Sequence, residues 1–246
     1  MNNNLTKKQK RELRKQERRQ EQTQREKKSR IRRLLMWACV IGVLAVIVAL
    51  LLLNAKTSIA PTENGDAALP SALRISDSDH TKGTPSNAIS LIEYSDFQCP
   101  ACASYYPLVA QLTSELSDKL YFAYRHFPLP QHSNATFAAE AAEAAGLQGK
   151  FFDMHDTLFR NQSDWAPLSS NQAKESFTKY AKELGLNTEQ FQQDFKSSAV
   201  KEVVQKNYKS GLAARVDATP TFFLNGKKLS APQNYEAFKK LILETP

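Results

Sequence analysis

Two cysteines two residues apart, Cys99-Pro100-Ala101-Cys102, stand where one kind of backbone periodicity gives way to another. That junction constrains the chain more than any other stretch. Upstream, residues 89–94 (ISLIEY) are β-branched and apolar and follow Thr84-Pro85-Ser86-Asn87, which predicts a buried strand. Downstream, Tyr105, Tyr106, Leu108, Val109, Leu112 and Leu116 recur at three- and four-residue steps, which predicts an amphipathic helix. Cys99 then falls near the helix N-cap, with Pro100 at the first helical position, where its missing N–H costs nothing.

This placement gives the first cysteine its expected chemistry. Free N–H groups and the positive end of the helix dipole favour an anion at a helix start, so Cys99 should have a lowered pKa and be the exchanging sulfur. Cys102, one turn in and more shielded, suits the resolving role. Half of a zinc site competes with this reading, because His126 and His132 lie downstream in a loose Cys2His2 pattern. Against it, the 23 residues between Cys102 and His126 exceed the finger spacing of about 12–15. They also read as a helix followed by a strand.

Charge is unevenly spread. Residues 1–33 hold 14 Lys and Arg against 4 Asp and Glu, a net +10, whereas the whole chain is +8. The basic excess is thus a property of the tail, which has few apolar residues and reads as a solvated topology signal with some attraction to anionic lipid, with no nucleic acid expected. Residues 34–53 are 20 residues without a charge, enough for a helix to span about 30 Å of hydrocarbon. With the positive charge on their N-terminal side, the tail is expected in the cytoplasm and the rest outside, at the cell membrane, as a retained single-pass anchor. Cys39 lies in this run and reads as a packing residue. Residues 54–86, rich in Ala, Ser, Thr, Asp and Pro, read as a flexible linker holding the domain on the order of 30 Å from the bilayer.

From residue 87 to 246 the composition is globular. Residues 119–127 (KLYFAYRHF) predict a second strand, closed by Pro128-Leu129-Pro130. Helical segments follow over 135–145, 150–160, 172–184 and from Asn187 through Tyr208, the last opening on a capping-box pattern. His155, on an apolar face, reads as a hydrogen-bonded core histidine. Residues 221–224 and 227–229 flank Asn225-Gly226, a strong hairpin signal, and 235–243 predict a last helix. The order is α/β with a helical block inserted at about residues 132–205.

That order, with Cys99-Pro100-Ala101-Cys102 and Ala218-Thr219-Pro220-Thr221, resembles the thioredoxin fold, and more narrowly the DsbA-like thiol–disulfide oxidoreductases, which carry a helical insertion. The segment Arg125-His126-Phe127-Pro128-Leu129, the alanine-rich helix, Gln148-Gly149-Lys150-Phe151-Phe152 and Met154-His155 resemble the membrane-anchored branch. The resemblance covers residues 87–243 and implies a thioredoxin-like domain behind one transmembrane helix. It implies that Cys99 and Cys102 form the redox disulfide. It also implies that Pro220 is a cis-proline facing it, with the Thr219 backbone offered to extended substrates. Glu93, six residues before Cys99, matches the family's buried acid, whose desolvated carboxyl could relay protons to Cys102.

The pair encloses Pro100 and Ala101, where strongly oxidising members have a histidine. The resemblance implies an extracytoplasmic enzyme oxidising unfolded or reduced secreted proteins, with no cofactor or metal. It implies reoxidation by a membrane partner of the DsbB or vitamin-K-epoxide-reductase type. A reductase or isomerase with the same site is the alternative. A tethered module binding zinc or peptide without catalysis is an alternative of another class.

Overall fold

The structure, a computed structural model, describes residues 70–86, 89–230, 232 and 234–244. The basic tail, the apolar run with Cys39 and the linker up to residue 69 lie outside the described residues. Among the described residues no helix is long and apolar enough to cross a membrane.

Five strands form one sheet in the order β1-β3-β2-β4-β5. They are β1 (His80–Lys82), β2 (Ile89–Ser95), β3 (Leu120–His126), β4 (Thr221–Leu224) and β5 (Lys227–Lys228). β2 and β3 are parallel, with Ser95 opposite His126, and are joined through helix α1 (Pro100–Glu115). β4 lies antiparallel to β2, with Glu93 opposite Phe222, and turns into β5 through Asn225 and Gly226, both at positive φ (46° and 78°). Positive φ at both positions is what an Asn-Gly hairpin turn supplies at little steric cost. Between β3 and β4 comes the helical block: α2 (Ala135–Gly146), α3 (Phe151–Arg160), α4 (Gln162–Trp165), α5 (Ser170–Glu183), α6 (Thr188–Lys196) and α7 (Ser198–Ala213). Helix α8 (Tyr235–Leu243) follows the hairpin.

The period-two alternation of β2 sorts the core onto the two faces of the sheet. Leu91 joins Phe122, Tyr124, Phe222 and Phe238 in a core shared with α1, α8 and the helical block. Ile92 and Tyr94 join Ala123, Phe127, Val216 and Phe223 on the opposite face. The alanines of α2, among them Ala138, Ala141, Ala142 and Ala145, are fully buried, and their small side chains let α3, α5, α6 and α7 pack closely around that helix.

Two expectations are corrected. The linker does not extend to residue 86: Ser71–Leu73 form a turn of 3₁₀ helix and β1 pairs antiparallel with β3, His80 opposite Tyr124. The cause is a buried ion pair far apart in the chain. Arg125 on β3 donates through Nε and Nη2 to the two carboxylate oxygens of Asp79 (2.8 and 2.7 Å), and also to the carbonyls of Ala72 and Arg74. A buried guanidinium must satisfy its donors, and residues 72–79 supply the acceptors. Second, the helix expected from Asn187 through Tyr208 is two helices. Ser197 is extended (φ −67°, ψ 152°) and its hydroxyl accepts from the Val200 N–H, so it ends α6 and caps α7.

Candidate active site

Cys99 is the N-cap residue of α1, with extended backbone (φ −74°, ψ 121°) and Pro100 next in line. Both cysteines are free thiols. Cys99 keeps 7% of its surface exposed and Cys102 none, a difference that leaves only Cys99 within reach of another molecule's sulfur. Opposite them the Thr219–Pro220 peptide bond is cis. The Thr219 carbonyl lies 3.4 Å from Cys99 Sγ and accepts from the thiol. The structure thus gathers Cys99, Cys102, Thr219 and Pro220 at one end of β2 and β4, although 120 positions separate Cys99 from Thr219.

The electrostatics divide the pair. The Cys99 pKa is lowered from 9.0 to about 5. The largest cause is the neighbouring Cys102 thiol, which donates to the Cys99 sulfur. The Thr219 side chain and the backbone N–H groups of Cys102 and Ala101 add to it, against the opposing effect of burial. The helix start therefore contributes as sequence reasoning expects, but the second cysteine contributes more. Burial pushes the Cys102 thiol up, and a charge on Cys99 pushes it further. One sulfur is thus readily a thiolate and the other holds its proton, the division thiol–disulfide exchange requires.

Ser95 and Tyr124 interact with both Cys102 and Glu93, which lies on β2 and is 3% exposed. Desolvation raises its pKa to about 7, against weaker pulls from the Ser95 hydroxyl and Lys82. It lines a cavity of about 10 Å³ with Lys82, Tyr106, Phe122 and His155, room for about one water. Ser95 Oγ and Tyr124 Oη are buried in the same region without a well-formed hydrogen bond. The Thr219 hydroxyl is likewise buried without a well-formed hydrogen bond, although it favours the Cys99 thiolate beside it.

Several residues that sequence reasoning passed over hold the cysteine loop. The Asp96 carboxylate accepts from the Gln98 N–H (2.7 Å), the Leu129 N–H (2.8 Å) and His132 Nδ1 (2.6 Å), and the Asp96 N–H points at Cys102 Sγ (3.5 Å). An aspartate two residues before a bonded N–H is a local turn signal, and it was available in the sequence. The Gln98 side chain donates to the Ala166 carbonyl (2.8 Å) and accepts from the Asn134 N–H (2.7 Å). The Gln162 amide donates to the carbonyls of Phe97 (2.6 Å) and Cys99 (3.0 Å). These partners lie in the helical block or the loop leading to it, too far along the chain for any pattern to announce them. The histidines of the loose Cys2His2 pattern are engaged elsewhere, His126 on Glu143 (2.7 Å) and His132 on Asp96. Among the described residues no group of three or more His, Cys, Asp or Glu side chains could hold a metal ion. His155 is buried, with Nδ1 2.8 Å from Asp156.

The sequence profile of the family described as Thioredoxin matches residues 76–244, more than half of the chain. The chain belongs to the thioredoxin family. The match begins inside the stretch that reads as linker, in keeping with the placement of β1 in the sheet. Among curated relatives, the Na(+)/H(+) antiporter NhaA 1 of Mycolicibacterium gilvum is 37% identical over 159 residues, covering 63% of this chain and 24% of the relative. The Na(+)/H(+) antiporter NhaA 3 of Salinispora tropica is 33% identical over 168 residues, 68% of this chain and 24% of the relative. This chain thus spans about a quarter of the length of those relatives.

Solved structures share the family's fold. Oxidised BdbD of Bacillus subtilis superposes with a TM-score of 0.60 at 19% identity, over 68% of this chain and 92% of its own. Alpha-DsbA1 of Wolbachia pipientis gives 0.61 at 19% identity, over 69% and 92%. A thioredoxin-like oxidoreductase of Silicibacter pomeroyi gives 0.57 at 23% identity, over 72% and 94%.

Proposed function

We propose that this chain is a membrane-tethered thiol–disulfide oxidoreductase that oxidises thiols of secreted proteins outside the cytoplasm through a Cys99–Cys102 disulfide. The observation that carries the reading is the asymmetry of the two sulfurs. Cys99 has a pKa of about 5 beside the Thr219 carbonyl, and Cys102 keeps its proton in the interior. A stabilised thiolate in the reduced state makes the corresponding disulfide a better oxidant, which favours oxidation over the reductase or isomerase alternative.

In the reaction a substrate thiolate attacks Sγ of Cys99. The Cys99–Cys102 bond breaks, and Cys102 leaves as a thiolate that takes a proton. Glu93, with a pKa of about 7, is about half protonated at neutral pH and is the nearby buried acid suited to provide it. A second substrate thiolate then attacks the substrate sulfur of the mixed disulfide, and Cys99 departs as its stabilised thiolate. Two electrons pass from substrate to protein. The cis Thr219–Pro220 edge offers backbone groups for strand-like pairing with an extended peptide. A membrane enzyme of the DsbB or vitamin-K-epoxide-reductase type then reoxidises the pair. Residues 34–53, an uncharged run flanked by the basic tail, support the tether and its orientation. The antiport in the relatives' names belongs to proteins of which this chain covers about a quarter.

Equilibration of the full chain with a glutathione series tests the reading. The expected potential lies nearer about −120 mV than about −270 mV, and a value at the lower figure makes the protein a reductase. Cys99→Ser is expected to abolish turnover, and Cys102→Ser to accumulate mixed disulfides with substrate. Absence of any trapped species refutes the exchange mechanism. A thiol reagent that cannot cross the bilayer is expected to label reduced Cys99 in intact cells. Labelling only after lysis refutes the orientation.

A further inference from the structure

We infer that Gln162, a residue of the helical block, is a positioning residue for the redox reaction, holding the Cys99 peptide so that the first turn of α1 faces the Cys99 sulfur. The inference rests on the redox reading above.

Gln162 opens the four-residue helix α4, directly after α3, and is half-buried. Its Nε2 carries two hydrogens and both are used, on the Phe97 carbonyl (2.6 Å) and the Cys99 carbonyl (3.0 Å). Those carbonyls bracket Gln98, whose side chain is held from the same direction by the Ala166 carbonyl and the Asn134 N–H. Behind the loop, Asp96 accepts from the Gln98 N–H and its carbonyl from the Cys99 N–H (3.1 Å). The loop is therefore bonded on both sides, and the link between the helical block and Cys99 itself runs through Gln162.

The Cys99 carbonyl is also the first acceptor of α1, taking the Ala103 N–H at 3.2 Å. The orientation of this peptide sets where the first turn starts. The N–H groups of Ala101 and Cys102 that favour the thiolate belong to that turn. Gln162 acts on the sulfur in two ways. It fixes the peptide plane from which the turn is built, and its amide hydrogens partly offset the negative ends of the Phe97 and Cys99 carbonyls, the second of which belongs to the same residue as the sulfur. Both effects favour the charged form, and neither requires Gln162 to touch substrate.

The test uses Gln162→Met, which keeps length without a donor or a charge, and Gln162→Ala, both in the full chain. Thiolate absorbance against pH is read with Cys99→Ser as the blank, together with the potential against glutathione and thermal unfolding. In both variants the Cys99 titration is expected to rise by up to about one unit, a tenfold loss of thiolate preference. Such a loss corresponds to a fall of about 30 mV in potential. Folded variants that titrate at the wild-type pH overturn the proposal. A Met variant that matches wild type while the Ala variant shifts also overturns it, because shape alone then suffices. If neither variant folds, Gln162 is a structural residue and the proposal fails. Failure of the redox reading looks different, since the wild type itself would then show no depressed thiol and no two-electron couple.

Discussion

Two buried glutamates of the same domain stand in opposite conditions. Glu93, on the strand that leads to the cysteine pair, has its pKa raised to about 7 because burial outweighs its few weak partners. Glu143, on α2 where the helical block meets the sheet, is equally enclosed, yet its pKa falls to about 2. There too burial acts upwards, but Nε2 of His126 and of His80 donate to its two oxygens at 2.7 and 3.0 Å and more than offset it. His80 is itself stacked on Phe151 at 3.4 Å. Burial thus raises a carboxyl, and its partners decide whether the rise survives. At the seam between the two parts of the domain both carboxylate oxygens of Glu143 are engaged, and His126 Nδ1 is left without a partner. The region around the reactive sulfurs is left short of partners, with the Ser95, Tyr124 and Thr219 hydroxyls lacking well-formed hydrogen bonds. A group that must give up a proton is served by the second condition, and a joint that must not open by the first.

Breaking the paired side should have the largest effect. Glu143→Ala leaves two imidazoles without their acceptor and is expected to destabilise the full chain by about 3–5 kcal/mol in urea unfolding at neutral pH. A loss below about 1 kcal/mol would show that the seam does not depend on this carboxylate.

The unpaired side should respond with the opposite sign. The folded pKa of Glu93 lies above the ordinary carboxyl value of 4.5, so the folded state holds a proton that the unfolded state has lost between about pH 4.5 and 7. Its contribution to stability therefore declines as pH rises through that window. Glu93→Gln is expected to remove the decline, leaving the variant more stable than wild type above pH 7 by on the order of 3 kcal/mol. Glu143, with its folded pKa depressed to about 2, contributes stability present above about pH 4.5 and lost as pH falls towards 2. Stability profiles of the two variants that parallel each other across pH 2–8 would contradict the contrast. On activity, Glu93→Gln is expected to slow release of Cys102 increasingly as pH falls towards 5, because the wild type then supplies the proton more readily.

A smaller effect tests packing on the opposite face of the sheet. A Cβ at Gly211 of α7 would stand 2.5 Å from Phe127 Cδ2 and 3.1 Å from Tyr94 Cδ1. Gly211→Ala is expected to cost about 1–3 kcal/mol despite the better helix propensity of alanine. Unchanged or raised stability would show that the Phe127 ring yields.

Much of the fold was legible in the chain because it is locally encoded. The alternation of β2, the spacing of apolar residues along α1 and the Asn225-Gly226 turn are each written in a handful of neighbouring residues. β1 was not legible. Three residues, His80-Thr81-Lys82, carry no alternation, and they join the sheet because Arg125 requires Asp79. The break at Ser197 left a serine-cap signal, but the apolar periodicity running through it was the stronger pattern. At the site, the cysteines and the proline were legible from their motifs. The residues that hold them were not, because Asp96, Gln98 and Gln162 are ordinary polar residues whose partners come from elsewhere.

The sequence by itself determined that a cysteine pair would open a helix at the end of a buried strand, with a Thr-Pro turn ahead of the last hairpin. Those features depend on backbone preferences and periodicities that act within a few residues. The tertiary structure decided what was not written locally: that the Cys102 thiol does more than the helix start for the Cys99 thiolate, that Glu93 lacks the partners Glu143 has, and what holds the loop. These depend on burial and on contacts across the chain: Cys99 with Thr219 at a separation of 120 residues, Gln162 with Cys99 at 63, and His80 with Glu143 at 63. Proton affinity depends on the solvent and charges around a group, and these exist only once distant segments have been packed together.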